Sequence, residues 1–309
     1  MRTAYLDIIR DCNLRCVFCS QGDRKGKISL LDLKKSIDRF CREEFGKVII
    51  TGGEPLLHPD LVSIVKYAVS KNIDVAVQTN GILITTKLVS DLKTAGLDQL
   101  IFSIHSDQSE LEDKIMCGNG VLEKQLSGLK IANQSGLITP VSTTIVRKNT
   151  QTLYKFFEFM IKNFNFVNHY TLNFVDAVGR SSKNSKVVPK FSEIELELHR
   201  SLHLLKTSGK TFRVERVPIC YMLDFAEYNT ELRRIVSNET ALLIRENECM
   251  MFTKRYFENV YTKLKSCETC RLTSICPGVN KNYLKIHGPS EFYPIFMDPK
   301  KIMAKAGWD

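Results

Sequence analysis

Ala4-Tyr5-Leu6-Asp7-Ile8-Ile9-Arg10-Asp11-Cys12-Asn13-Leu14-Arg15-Cys16-Val17-Phe18-Cys19 runs from a short, mostly apolar stretch straight into three closely spaced cysteines. Ala4–Ile9 reads as a strand, so the C-x3-C-x2-C run falls in the loop that leaves it. Iron–sulfur cubes are held by cysteine thiolates. Three thiols on one loop can hold three irons and leave the fourth open for a small molecule, as catalytic metal sites require. A zinc ion with a distant fourth ligand is the alternative reading of this spacing.

Outward from that loop the chain alternates strand-like and helix-like segments. Apolar residues at helical spacing (Leu31, Leu33, Ile37, Phe40) predict a helix over 30–44, and a second strand over 47–51 ends in Gly52-Gly53. Helices are predicted over 61–70, 86–95, 121–135 and 152–163, and strands over 74–79, 99–103, 141–146 and 169–175. Strand then helix, six times, implies a parallel sheet with helices outside it. Periodicity alone leaves a partial barrel and an open doubly wound sheet equally available. After Gly179-Arg180 the lysine-rich stretch 181–190 reads as an exposed connection, followed by a long helix over 192–207. From about Phe212 the rhythm is lost, and this last part holds five of the ten cysteines. The expected division is a core over 1–190 and a small C-terminal subdomain over 191–309. No internal repeat or low-complexity tract is visible.

Short polar motifs stand at the strand ends. Gly52-Gly53-Glu54-Pro55 closes the second strand, Gln78-Thr79-Asn80-Gly81 the third, and Ser103-Ile104-His105-Ser106 the fourth. Asp176-Ala177-Val178-Gly179-Arg180 follows the sixth. In βα barrels the active site lies at the C-terminal ends of the strands. Together with Cys12-x3-Cys16-x-Phe18-Cys19, these motifs resemble, in order and placement over about residues 4–180, those of radical S-adenosylmethionine (SAM) enzymes. The resemblance implies an α/β fold, a partial (βα)6 TIM-like barrel. It implies a [4Fe–4S] cluster on Cys12, Cys16 and Cys19, and SAM as the bound cofactor. That cluster cleaves SAM reductively to a 5′-deoxyadenosyl radical, which takes hydrogen from an inert C–H. By the same resemblance Glu54 binds the SAM amino group, Gly52 and Gly53 admit its methionine portion, and Ser103 bonds its ribose or carboxylate. Phe18 and Ile145 contact the adenine, and Asn80 supplies a polar contact. Local turn hydrogen bonds are the plainer reading of Ser103 and Asn80.

A second run, Cys267-Glu-Thr-Cys270-Arg-Leu-Thr-Ser-Ile-Cys276, is C-x2-C-x5-C. It resembles the auxiliary-cluster segment of the SPASM and Twitch subfamilies. No cysteine follows Cys276, which departs from the full SPASM pattern and implies one auxiliary [4Fe–4S] cluster, the Twitch arrangement. Cys220, just after a strand-like stretch, is favoured over Cys249 as its fourth ligand, and a zinc knuckle is the plainer alternative. Cys41 and Cys117 have no partner at ligand spacing and read as buried structural cysteines.

For the substrate, the polar candidates at strand ends are His105, Arg147, Asn173 and Asp176. Relatives implied by the resemblance often modify ribosomally made peptides or proteins, which is the expected substrate class. A small molecule such as a nucleotide or cofactor precursor is the alternative. With 11 residues before Cys12, peptide recognition is expected in the C-terminal region or on a partner. The 309 residues carry a net charge of +10, which suits an acidic leader peptide, a phosphorylated small molecule, or an acidic electron donor such as flavodoxin or ferredoxin. Nucleic acid is not expected, because no RNA-binding signature with interleaved aromatic and basic residues is present. A non-enzymatic zinc or nucleic-acid module fits neither the six-fold rhythm nor the Glu54 motif. No run of 18 apolar residues and no signal peptide is seen. The expected location is the cytoplasm, where thiols stay reduced and available as ligands.

Overall fold

The computed structural model describes residues 2–23, 25–245 and 248–308. Its first six strands are β1 (Thr3–Ile9), β2 (Lys47–Gly52), β3 (Asp74–Thr79), β4 (Gln99–Ser103), β5 (Val141–Ile145) and β6 (His169–Phe174). Each is parallel to the next and lies beside it in the sheet. The helices between them are α1 (Leu30–Arg42), α2 (Leu61–Ser70), α3 (Thr86–Thr94), α4 (Ser109–Met116), α5 (Val121–Gln134) and α6 (Leu153–Asn163). Sequence periodicity missed only α4, whose two turns are too short to show a 3.6-residue period.

Residues alternate across each strand because successive side chains point to opposite faces. Ala4, Leu6 and Ile8 of β1 are fully buried, as are Val48 and Ile50 of β2. They meet Leu33, Ile37 and Phe40 of α1 and Ile64, Val65 and Ala68 of α2 in one continuous core. The other face of the sheet is polar and turns in on itself. Lys47 on β2 donates to Gln99 on β4 at 3.0 Å, and lies close enough to His169 on β6 to act on its charge. A flat sheet would hold β2 and β6 far apart, since neighbouring strands are about 4.8 Å apart. The sheet is therefore wrapped into a partial barrel whose inside is lined by polar side chains.

Two features differ from the sequence reading. The stretch after the sixth strand is not simply an exposed connection. It forms the short helix α7 (Arg180–Lys183), and Ser181, Val187 and Val188 are buried. The barrel sheet also continues past 190. After the helix α8 (Phe191–Thr207), which packs on α6, β7 (Thr211–Glu215) adds to β6 in parallel. Beyond α9 (Thr230–Val236), β8 (Ala241–Arg245) pairs in parallel with β1 on the opposite edge, and β9 (Glu248–Phe252) pairs antiparallel with β8. The order is thus β7-β6-β5-β4-β3-β2-β1-β8-β9. The strand-like stretch before Cys220 is β7, whereas β8 and β9 escape the βα pattern because no helix of ordinary length separates them.

The remaining elements are α10 (Lys254–Val260), the short antiparallel pair β10 (Tyr261–Thr262) and β11 (Val279–Asn280), α11 (Lys281–His287) and α12 (Pro299–Ala306). Val279 of β11 and Tyr283 of α11 join the main core, whereas α9, α12 and the segment over 271–276 share a small second core built on Ile219, Leu232, Leu272, Ile275, Ile295 and Ile302. Cys220, Cys270 and Cys276 lie at its margin. Cys41 and Cys117 are exposed, not buried as expected. Cys41 sits at the end of α1, on its outer side. Cys117 ends α4 in the left-handed region, at φ 53°. No helix among the described residues is long and apolar enough to cross a membrane.

Candidate functional site

Cys12, Cys16 and Cys19 are unbridged and share the loop leaving β1. A tight turn from Cys19 N–H to the Cys16 carbonyl (3.2 Å) gathers the last two. The thiols sense one another: burial pushes Cys16 well above its ordinary value, and Cys12 and Cys19 push it further. Burial also raises Cys12. Three crowded thiols resist ionising together unless a positive group joins them, and the irons of a cluster are such a group. No three His, Cys, Asp or Glu side chains among the described residues converge to hold a single metal ion. A cube asks for a different arrangement, thiolates spread over separate irons. This donor set fits a cluster.

The loop is fixed from three sides. On the first, Gly53 N–H donates to the Ile9 carbonyl (2.6 Å) and Glu54 N–H to the Asp11 carbonyl (2.9 Å). The glycine pair is dictated by this approach. A Cβ on Gly52 would lie 2.3 Å from the Ile9 carbonyl oxygen, and one on Gly53 would lie 2.2 Å from that of Asp11. Without side chains, the glycine pair lets the end of β1 and the start of the cysteine loop approach β2 closely.

On the second side stands Glu54, fully buried between the ends of β2 and β3. Its Oε1 accepts from Thr79 Oγ1 (2.8 Å) and Leu56 N–H (3.0 Å), and its Oε2 accepts from Asn80 N–H (2.8 Å). Burial pushes its carboxyl up to about 7, against the pull of these three donors. Asn80 passes the link on: its Nδ2 donates to Asn13 Oδ1 at 2.7 Å, inside the cysteine loop, while its Oδ1 accepts from Ile82 N–H. Thr79 and Asn13 were missed by the sequence reading. Asn13 was findable, since it stands between two cysteines.

The third side is built from the far end of the sheet. Arg180, following β6, donates from Nη2 to the Gly22 carbonyl (2.7 Å) and Asp23 Oδ1 (2.8 Å), and from Nη1 to the Cys16 carbonyl (3.3 Å). Its guanidinium holds Asp23 below the usual carboxylate range. From β8, Arg245 Nε donates to Asp7 Oδ2 (2.6 Å), which also accepts from Gln21 Nε2 (2.7 Å). Neither Asp7 nor Arg245 could be picked out from sequence, because the β1–β8 pairing that joins them spans most of the chain.

Phe18 is half-buried and meets the His105 ring edge-on at 4.8 Å. His105 is almost fully buried, its Nδ1 accepts from Thr144 N–H, and burial lowers it to about 3, so it is a neutral buttress. Its backbone N–H is taken by buried Glu112, whose carboxyl burial raises to about 8. Ser103 lies half-buried at the end of β4 on the inner face. Ile145 is fully buried in the main core and presents no surface.

Of the substrate candidates, Arg147 is fully engaged. It donates to both oxygens of Glu193 (2.7 and 2.8 Å) and to the carbonyls of Lys186 and Val188. It anchors α8 rather than facing the mouth. Asn173 and Asp176 do gather, around Arg216 at the end of β7. Arg216 Nη1 lies 3.4 Å from Asn173 Oδ1, and the Asp176 charge acts on it. Arg216 adopts φ 63°, held there by its N–H donating to both oxygens of Glu231 at 3.1 Å. A non-glycine residue in the left-handed region costs about 1–3 kcal/mol and clusters at functional sites.

The second cysteine set also assembles. Cys220 feels the charges of Cys276, Cys267 and Cys270, and burial raises its thiol to about 12. Cys249 lies elsewhere, beside Arg39 of α1. Gly278 N–H points to Cys276 Sγ (3.3 Å) and Ile295 N–H to Cys270 Sγ (3.4 Å). Tyr293 Oη donates to the Cys220 carbonyl. The set faces an apolar core on one side and backbone donors on the other.

An AdoMet-dependent heme synthase of Methanosarcina barkeri is 28% identical over 65% of this chain and 58% of its own length. A GTP 3′,8-cyclase of Aliarcobacter butzleri is 38% identical over 43% of each. The chain thus spans about half the length of these curated relatives. Among solved structures, Streptococcus suis SuiB bound to its precursor peptide SuiA superposes with a TM-score of 0.70 at 16% identity, over 95% of this chain and 75% of that one. Native anSMEcpe with bound AdoMet and Cp18Cys peptide gives 0.67 at 13%, over 98% and 95%. Residues 6–160, half of the chain and including all three loop cysteines, match the Radical SAM superfamily, and the chain belongs to it.

Proposed function

We propose that this chain reductively cleaves SAM at a cluster on Cys12, Cys16 and Cys19 and acts on a ribosomally made peptide or protein. The observation that carries the proposal is the three-sided clamp on the cysteine loop, which ties it to the ends of β2, β3, β6 and β8. Bound there, a [4Fe–4S] cluster with SAM supplies a 5′-deoxyadenosyl radical for hydrogen abstraction. The chain's own part is to hold and orient. Glu54 takes the SAM amino group, whose positive charge would pull its raised carboxyl back towards the ionised form. Ser103 bonds the ribose or carboxylate, Asn80 adds a polar contact, Gly52 and Gly53 admit the methionine portion, and Phe18 contacts the adenine, with Ile145 supporting that wall from within the core. The inner face around Asn173, Asp176 and Arg216 positions the substrate and excludes water.

In this reading residues 1–190 carry the SAM chemistry. Residues 191–309 carry a Twitch-like part with one auxiliary [4Fe–4S] cluster on Cys220, Cys267, Cys270 and Cys276. Their mutual proximity, with Cys249 elsewhere, supports that ligand set. The peptide reading is favoured by likeness over nearly all of this chain to two structures solved with a bound peptide. A small-molecule substrate is the second reading, favoured by the names of the curated relatives. The positive net charge suits an acidic flavodoxin or ferredoxin as electron donor.

The test is to count iron, sulfide and zinc after anaerobic reconstitution, for wild type and a Cys12/Cys16/Cys19→Ala variant. About eight irons falling to about four supports two cubes. About four falling to near zero leaves the loop cluster alone and makes the C-terminal cysteines zinc ligands or spectators. No loss of iron in the variant overturns the proposal.

A further inference from the structure

Lys263 lies between β10 and the first cysteine of the second set, and its side chain turns back across the loop that carries the third. Its Nζ donates to the Thr273 carbonyl at 2.8 Å and to the Cys276 carbonyl. These two carbonyls bracket the last turn of the C-x5-C loop, so one ammonium staples that turn shut. The neighbouring backbone reinforces the hold. A Cβ on Gly278 would lie 2.2 Å from the Thr262 carbonyl oxygen, and Thr262 pairs with Val279 in the β10–β11 ladder. Gly278 N–H is then left facing Cys276 Sγ. The lysine thus does two things at once: it fixes the loop and it sets a cation beside Cys276.

We propose that Lys263 is the positioning residue of the auxiliary cluster, clamping the Cys270–Cys276 loop on it and raising its reduction potential. The inference rests on the auxiliary-cluster reading given above. Its physical basis is direct. Groups that orient ligands without touching the metal are worth about 10–100-fold in metal retention. A reduced cluster carries one more negative charge than the oxidised one, so a nearby cation favours reduction, as hydrogen bonds to the sulfurs also do.

The test uses the full chain in the Cys12/Cys16/Cys19→Ala background, so that only the second cysteine set can hold iron. Lys263→Met and Lys263→Arg are reconstituted anaerobically with iron and sulfide. Iron release to bathophenanthroline is timed, and the midpoint is read by electron paramagnetic resonance during dithionite titration. Lys263→Met is expected to release iron about ten-fold faster and to titrate at a lower potential than its parent. Lys263→Arg, which keeps the charge and two donors, is expected to stay close to the parent in both. A merely structural lysine would leave the midpoint unmoved, and equal midpoints for Lys263→Met and its parent overturn the proposal. Should Lys263→Met fail to fold by circular dichroism, Lys263→Arg titrated at low and high salt decides: a midpoint indifferent to salt overturns the charge effect. A parent that binds no iron at all overturns the auxiliary-cluster reading and this inference with it, whereas iron bound with equal release and midpoint overturns this inference alone.

Discussion

The backbone N–H of Arg180 donates to the carbonyl of Cys19 at 3.0 Å, joining the segment after the sixth strand to the loop after the first. Gly179 makes that contact possible: at φ 63°, a Cβ there would lie 2.4 Å from the same carbonyl oxygen. The cysteine loop thus bridges the segments that follow β1 and β6.

Removing the Arg180 side chain should therefore loosen the loop without dismantling the barrel. Arg180→Ala loses the bonds to the Cys16 and Gly22 carbonyls and to Asp23. Iron release to a chelator is expected to quicken about ten-fold, with far-ultraviolet circular dichroism unchanged. An unaltered release rate would show that the other two sides of the clamp suffice.

The two candidate fourth ligands can be separated by iron content. Cys220→Ser should lose most of the iron that survives in a Cys12/Cys16/Cys19→Ala background, because Cys220 sits among the C-terminal thiols. Cys249→Ser should retain it, since Cys249 lies by Arg39. The reverse pattern would reassign the ligand.

Arg147 is expected to matter for stability rather than for chemistry. Its bidentate pair with Glu193 is partly exposed, so Arg147→Met should cost about 1 kcal/mol, seen as a lower midpoint in urea. Uncoupled SAM cleavage with dithionite should persist. Loss of cleavage in a folded variant would return Arg147 to the mouth.

Glu112 gives the metal-free chain a specific pH response. Its folded value is raised to about 8 from an ordinary 4.5, so the folded state binds its proton more tightly than the unfolded state. Its contribution to stability is full below about 4.5 and is lost as pH rises through about 8. Glu112→Gln should flatten that decline while keeping an acceptor for the His105 N–H. Melting temperatures of both proteins across pH 5 to 9 check it, and parallel curves would exclude Glu112 as the source.

Much of this protein is written locally. The parallel βα order, the strand-end placement of Glu54, Asn80 and Ser103, and the two cysteine runs all follow from short-range pattern, since strand and helix periods and ligand spacing are properties of neighbouring residues. What joins distant segments is not. The pairing of β8 with β1, which brings Arg245 to Asp7, has no sequence period. That Cys249 lies by Arg39, and that Arg216 rather than Arg147 joins Asn173 and Asp176, depends on how the sheet wraps. Exposure of Cys41 and Cys117 likewise follows from which face of an element meets the core. Local sequence determined the chemistry this chain can carry, and tertiary packing decided which residues share it, because contacts between distant segments arise from global burial of apolar faces rather than from spacing along the chain.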